Sequence, residues 1–199
     1  AGEAAMRKEF ARRFPDFEYI RGRISFRAGP RLWGHHDPIA RKVQRGDLIF
    51  MSAHPIIMGY FSTLARQRVM GEIDDSTRRP FEVCIQAVDR CLEAIKPGVR
   101  FSEIDNVALK VFEEAGVAQY KGFGTGHSHG LMGPFWGREK CGEYRPYNDT
   151  LLQPGVITSM EPSLSIPGVG VFMINDMVLV TESGAEVITH YPRELRSIQ

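Results

Sequence analysis

Between Arg79 and Ile95 the apolar residues Phe81, Cys84, Ile85, Val88, Cys91, Leu92 and Ile95 recur at i, i+3, i+4 and i+7. That spacing predicts a helix with one face buried against a sheet or a second helix. Lys96-Pro97-Gly98 ends it. Ser102, followed three residues later by Asp105, forms a capping pattern for a second helix. Its inward positions are Ile104, Val107, Ala108, Val111 and Phe112, and Gly116 terminates it. The two are predicted to pack as a pair. Ala1 to Phe14, ending at Pro15, reads as the later half of another such pair, without a preceding helix or a counterpart of the Lys-Pro-Gly turn.

Elsewhere the pattern is that of strands. Asp47 to Phe50, Gly59 to Met70, Val156 to Met160, Val169 to Ile174 and Met177 to Thr181 are β-rich segments bounded by Gly, Pro or Asn. Two units of helices plus sheet, the first one clipped, predict a pseudo-repeated α+β domain with helix pairs on one face of a curved, mostly antiparallel sheet. No low-complexity segment or long linker divides the chain, so residues 1–199 are expected to form a single domain.

Composition narrows the classes of function. The chain has 199 residues, 43% of them hydrophobic, enough for one well-buried core. Lys and Arg number 25 against 24 acids, a net charge of +1 that supplies no polybasic face for nucleic acid or membrane. The locally basic segment from Arg7 to Arg45 is interleaved with acids and aromatics and reads as solvated surface. No apolar run approaches the ~20 residues a membrane span needs and no leader opens the chain, so the expected compartment is the cytoplasm. The three cysteines, Cys84, Cys91 and Cys141, lack CxxC spacing. Neither a disulfide framework nor a zinc knuckle is expected, and Cys84 and Cys91 read as core packing.

The segment from Gly126 to Glu139, GHSHGLMGPFWGRE, holds two histidines, an arginine and a glutamate in a glycine-rich loop. Taken with RGDLIF at Arg45 to Phe50, GYFSTLAR at Gly59 to Arg66, LQPGVITSMEP at Leu152 to Pro162 and NDMVLVTESGAEVIT at Asn175 to Thr189, it resembles, in order, the pita-bread family of methionine aminopeptidases, prolidases, aminopeptidase P and creatinase. The resemblance runs from about Gly34 to the C-terminus and implies the pita-bread fold. It also implies a homodimer, and an N-terminal domain that these 199 residues are not expected to include.

The peptidases of that family hold two divalent metals with two aspartates, a histidine and two glutamates. By the resemblance these positions fall on Ser52, Thr63, His127, Glu161 and Asn175. Two hard cations need several carboxylates to replace their water and neutralise their charge, which Ser, Thr and Asn do not supply. The expectation is therefore no metal and no cofactor.

The local wording looks closest to the metal-free creatinase branch. By that resemblance the proton shuttle is His36, within Gly34-His35-His36-Asp37-Pro38. Arg138 grips a substrate carboxylate, and Glu161 contacts the guanidinium group. A second guanidinium-binding glutamate falls on Ala65, and a further histidine on Asn175. Loss of one of two carboxylates facing a cation removes an interaction of ~1.5–3 kcal/mol.

Metal-free cleavage of a C–N bond needs an activated water, a proton for the leaving nitrogen and compensation of developing charge. A histidine serves the first two in turn. His36 is the candidate, with its neighbour His35 pointing to the other face if the segment is extended. His127 either hydrogen-bonds substrate or Glu161, or is a structural histidine held by loop carbonyls. Arg138 offers a planar fork for a carboxylate, and Phe135 and Trp136 either wall the pocket or pack in the core. His129, His54 and His190 read as structural.

The expected function is hydrolysis of a C–N bond in a small guanidino acid, amide or lactam. His36, Glu161 and His127 would be catalytic, and Arg138, Phe135 and Trp136 would bind substrate. The alternatives are a non-catalytic binding module, a divergent Xaa-Pro peptidase-like metalloenzyme, and a single metal held by His127 and Glu161.

Overall fold

The helical periodicity is realised as a packed pair, α2 (Asp75–Ala94) and α3 (Phe101–Glu114). The computed structural model describes residues 2–30, 40–131 and 142–199. Helix α2 starts at Asp75 rather than at Arg79, because Asp74 caps it: its carboxylate accepts from Thr77 N at 2.9 Å and from the Ser76 hydroxyl at 2.8 Å. Pro80, lacking an N–H, lies inside the helix rather than opening it. Helix α3 also begins earlier than the sequence pattern suggests. Glu103, not Asp105, closes its first turn by accepting from Arg100 N at 2.9 Å. Asp105 instead points inward, buried against Lys121 Nζ at 2.9 Å and Thr125 Oγ1 at 2.6 Å.

The first helix, α1 (Gly2–Arg13), buries no residue fully and lies on β1 (Ile20–Ala28). Strand β1 pairs antiparallel with β2 (Leu48–Ile57), from Ile20 opposite Ile57 to Ala28 opposite Ile49. It was not expected: Arg21, Arg23 and Arg27 mask its alternation, and the segment read as solvated surface. Ser25 and Arg27 are in fact buried, the Arg27 guanidinium lying 5.5 Å from the centre of the Phe50 ring. Strand β2 runs past its expected end at Phe50, through Pro55.

Met58 and Gly59 both take positive φ and turn β2 back into β3 (Tyr60–Phe61). Strand β4 (Leu64–Met70) then pairs antiparallel along β2. The second half supplies β5 (Ser128–His129), β6 (Ile157–Met160), β7 (Ser163–Ile166), β8 (Gly170–Met173), β9 (Asp176–Val180) and β10 (Ala185–Val187). These form an antiparallel sheet ordered β10-β9-β6-β5 and a β7-β8 hairpin. Strand β11 (Arg196–Ile198) returns to lie parallel to β4.

Two of the links between the halves start from β4. Ala65 and Asn175 exchange backbone hydrogen bonds, and Gln67 reaches from β4 to accept from Met173 N and donate to Val171 O. The result is the expected curved, mostly antiparallel surface. Phe81, Cys84, Ala87, Val88 and Cys91 of α2 and Phe101, Ile104, Ala108, Val111 and Phe112 of α3 bury against Met160, Leu164, Phe172, Ile174, Val178 and Val180. Both described thiols, Cys84 and Cys91, are core residues, as expected.

Candidate active site

The glycine-rich loop is laid against β6 by close backbone approach. A Cβ on Gly126 would come within 2.0 Å of Ser159 O, and this glycine has φ 151°, so a side chain is excluded there. The approach lets Ser159 N donate to His127 O at 2.8 Å and Glu161 N donate to Thr125 O at 2.7 Å. His127 and Glu161 thereby meet at the end of β6, both buried, with Nε2 3.5 Å from Oε1. Ser128 O accepts from His127 Nδ1 at 3.0 Å, so Nδ1 carries a proton. The contact with Glu161 is then an ion pair when the ring is doubly protonated.

The other glutamate oxygen is taken. Asn175 Nδ2 donates to Glu161 Oε2. Asn175 is paired with Ala65, which lies opposite Ser52 on β2. On the far side, the His129 ring lies against His127, with centroids 4.3 Å apart, and stacks on Phe61 at 5.3 Å. Phe61 in turn lies 5.7 Å from His54, whose Nδ1 is 3.2 Å from Thr63 Oγ1. A chain of contacts thus links Ser52, Ala65, Asn175, Glu161, His127, His129, Phe61, His54 and Thr63. The fold brings together the positions that sequence comparison within the chain could only place in order.

Of the residues singled out in the sequence, His127 and Glu161 are in this cluster. His36, His35, Phe135, Trp136 and Arg138 lie outside the described residues, as does Cys141. His129 and His54, read above as structural, line the same cluster; the signal for them was period two, His129 following His127 and His54 following Ser52 and Phe50 on one face of β2. His190 is not among these contacts.

The family model of Metallopeptidase family M24 matches residues 11–182. The chain belongs to that family. It is 35% identical over 196 residues to the creatinase of Bacillus sp. (strain B-0618), covering 96% of this chain and 48% of that protein. It is 33% identical over 155 residues to the Xaa-Pro dipeptidase of Pyrococcus furiosus, covering 78% of this chain and 43% of the relative. Among solved structures, the X-Pro aminopeptidase of Thermotoga maritima superposes with a TM-score of 0.86 at 25% identity, covering 98% of this chain and 53% of that one. The pita-bread fold expected from the motifs is the observed one. The chain spans about half the length of these relatives.

The family description implies metal, and the residues of this cluster do not fit a dinuclear centre. His127 and Glu161 are the two strong donors of the five family positions, and an amide N–H already occupies one oxygen of Glu161. Among the described residues no three His, Cys, Asp or Glu side chains gather as ligands for a metal ion. Nor is any described helix long and apolar enough to cross a membrane.

Proposed function

We propose that this M24 protein is a creatinase-like hydrolase that cleaves a C–N bond in a small carboxylate-bearing substrate without a metal. The observation that carries the reading is the Asn175–Glu161–His127 arrangement: a carboxylate held by an amide and an imidazole where the resemblance puts metal ligands. The identity to a creatinase supports it.

In this reading Glu161 accepts an N–H of the substrate or orients the attacking water. His127 steadies that carboxylate and offsets its charge. His36 takes the proton from water and delivers it to the leaving nitrogen. Arg138 binds the substrate carboxylate, and Phe135 and Trp136 exclude water. The protein works in the cytoplasm as a homodimer and needs no cofactor.

The test joins metal content by elemental mass spectrometry to turnover of guanidino acids, amides and lactams, with and without chelator. Turnover that survives complete removal of metal is the expected result. His36→Ala should abolish it while leaving binding intact, and full activity in that variant would sink the assignment.

The similarity to Xaa-Pro dipeptidases favours a second reading, a divergent Xaa-Pro peptidase. It predicts cleavage of an Xaa-Pro dipeptide that appears only with added divalent metal.

A further inference from the structure

Asp105 sits in the buried face of α3, among the apolar residues Phe101, Ile104, Ala108, Val111 and Phe112. It is 2% exposed. Lys121 Nζ donates to its two oxygens at 2.9 and 3.1 Å, and the Thr125 hydroxyl donates to Oδ1 at 2.6 Å. Helix α3 does not need a charge there, since its first turn is closed by Glu103. Apolar side chains of similar size would spare the desolvation of a carboxylate and an ammonium, and such replacements are often neutral or stabilising. The pair is better explained by what it holds in place than by what it adds to stability.

What it holds is Thr125. That residue is wholly buried and stands between Gly124 and Gly126, so across these three positions its side chain is the one handle on the loop. A Cβ on Gly124 would lie 3.0 Å from Tyr144 O, and one on Gly126 2.0 Å from Ser159 O. The close approach that lays the loop on β6 thus leaves no room for side chains at either glycine, and glycine backbone is the least restrained.

From Thr125 the restraint reaches the site by two routes. Its carbonyl accepts from Glu161 N at 2.7 Å, and two residues further on His127 O accepts from Ser159 N at 2.8 Å. The Asp105–Thr125 bond has the length of a charge-assisted hydrogen bond. It ties the helix layer to the segment that sets His127 Nε2 against Glu161 Oε1.

We propose, resting on the reading of His127 and Glu161 as working groups, that Asp105 is a positioning residue for them. It acts through Thr125, with Lys121 as its counter-charge, and fixes the glycine-rich loop from the helix side. Neither Asp105 nor Lys121 touches substrate.

The test uses Thr125→Val, which keeps the shape and removes the hydroxyl, Thr125→Ser, which restores it, and a double variant, Asp105→Leu with Lys121→Met, which removes the charges together. Amide hydrogen exchange of the full chain is read residue by residue by NMR. In Thr125→Val and in the double variant the amides of Ser159 and Glu161 should exchange about tenfold faster or more, while amides at the centres of α2 and α3 keep their rates. Thr125→Ser should match the parent. The double variant should melt no lower than the parent, which separates positioning from a structural role. Unchanged protection of Ser159 and Glu161, or a loss shared equally by α2 and α3, overturns the proposal.

Turnover of the guanidino acids, amides and lactams is followed on the same proteins. Thr125→Val should lower kcat on the order of a hundredfold, the scale of a small misplacement, with KM within about threefold, and Thr125→Ser should recover it. Loosened amides with kcat unchanged overturn the positioning role. A parent that turns over none of these compounds removes the hydrolase reading instead, and the exchange rates then decide the tether alone.

Discussion

Asn175 donates its side-chain N–H to Glu161, tying the residue just ahead of β9 to the end of β6 with both side chains almost wholly buried. An amide and a carboxylate satisfy each other there with a single negative charge between them. The same backbone with two carboxylates would face like-charge repulsion in a poorly hydrated place.

Asn175→Asp, nearly the same shape, should therefore destabilise the protein at pH 7 by roughly 2–4 kcal/mol, within the range for uncompensated buried charge. One of the two carboxyls would have its pKa raised in the folded state. The sign follows: a raised folded pKa leaves the variant close to the parent at low pH, and the penalty grows as pH rises through it. Urea titrations at pH 4.5 and pH 7 check this; a penalty that is the same at both would show that the pair carries no charge coupling.

Arg66 reaches across the halves beside the Ala65–Asn175 pairing. Its guanidinium, 3% exposed, donates to Asp176 at 2.6 Å and to the carbonyls of Ala65, Asn175, Tyr191 and Pro192. Asp176 is also held by Arg193 Nε at 2.6 Å and by Thr189 Oγ1 at 2.7 Å. Arg66→Met strands part of this network and should cost about 3–5 kcal/mol, the usual consequence of removing one partner of a buried pair. Arg66→Lys keeps the charge but loses the planar fork, and should recover only part of the loss. Denaturant midpoints of the three proteins give the order directly.

The sequence announces some of this architecture and hides the rest for definite reasons. Helices α2 and α3 were legible because their buried faces repeat every 3.6 residues, a local pattern. Strand β1 was not, since arginine occupies alternate positions at Arg21 and Arg23 and again at Arg27, and only pairing with β2 makes Arg27 a buried residue. Strand β11 pairs with β4 in parallel from the opposite end of the chain, a contact no local pattern encodes. At the site, ordered motifs pointed to His127 and Glu161. His54 and His129 join them through ring stacking, which exists only in the folded chain.

The two described thiols should be inert. Cys84 and Cys91 have no exposed surface. Burial drives the Cys84 thiol well above the ordinary thiol range, and pushes that of Cys91 up to about 12, with the nearby Asp105 charge adding to the effect. At pH 8 a thiol with that pKa is thiolate in only about one molecule in ten thousand, and the thiolate is the reactive form. A Cys141→Ser variant treated with iodoacetamide at pH 8 should take up no label while folded and two labels in denaturant. Labelling of the native variant at a rate independent of denaturant would contradict the buried placement.

The cap of α2 carries a pH signature of its own. The Ser76 hydroxyl, and after it the Thr77 hydroxyl and N–H, hold the Asp74 carboxyl below its ordinary value of 3.8. A carboxyl depressed in the folded state contributes stability that is present above the unfolded pKa and is lost as pH falls through the folded one. Asp74 is exposed, so solvent screening keeps the contribution near the ordinary worth of a cap, about 1 kcal/mol at pH 7. Asp74→Ala should lose that amount, and its deficit should shrink as pH is lowered from 5 toward 2. Asp74→Asn accepts the same hydrogen bonds without titrating, so its advantage over Asp74→Ala should stay flat over that interval. Urea midpoints of the three proteins across the series measure both gaps, and an Asp-to-Ala gap that moves in step with the Asn-to-Ala gap would assign the acid sensitivity to some other group.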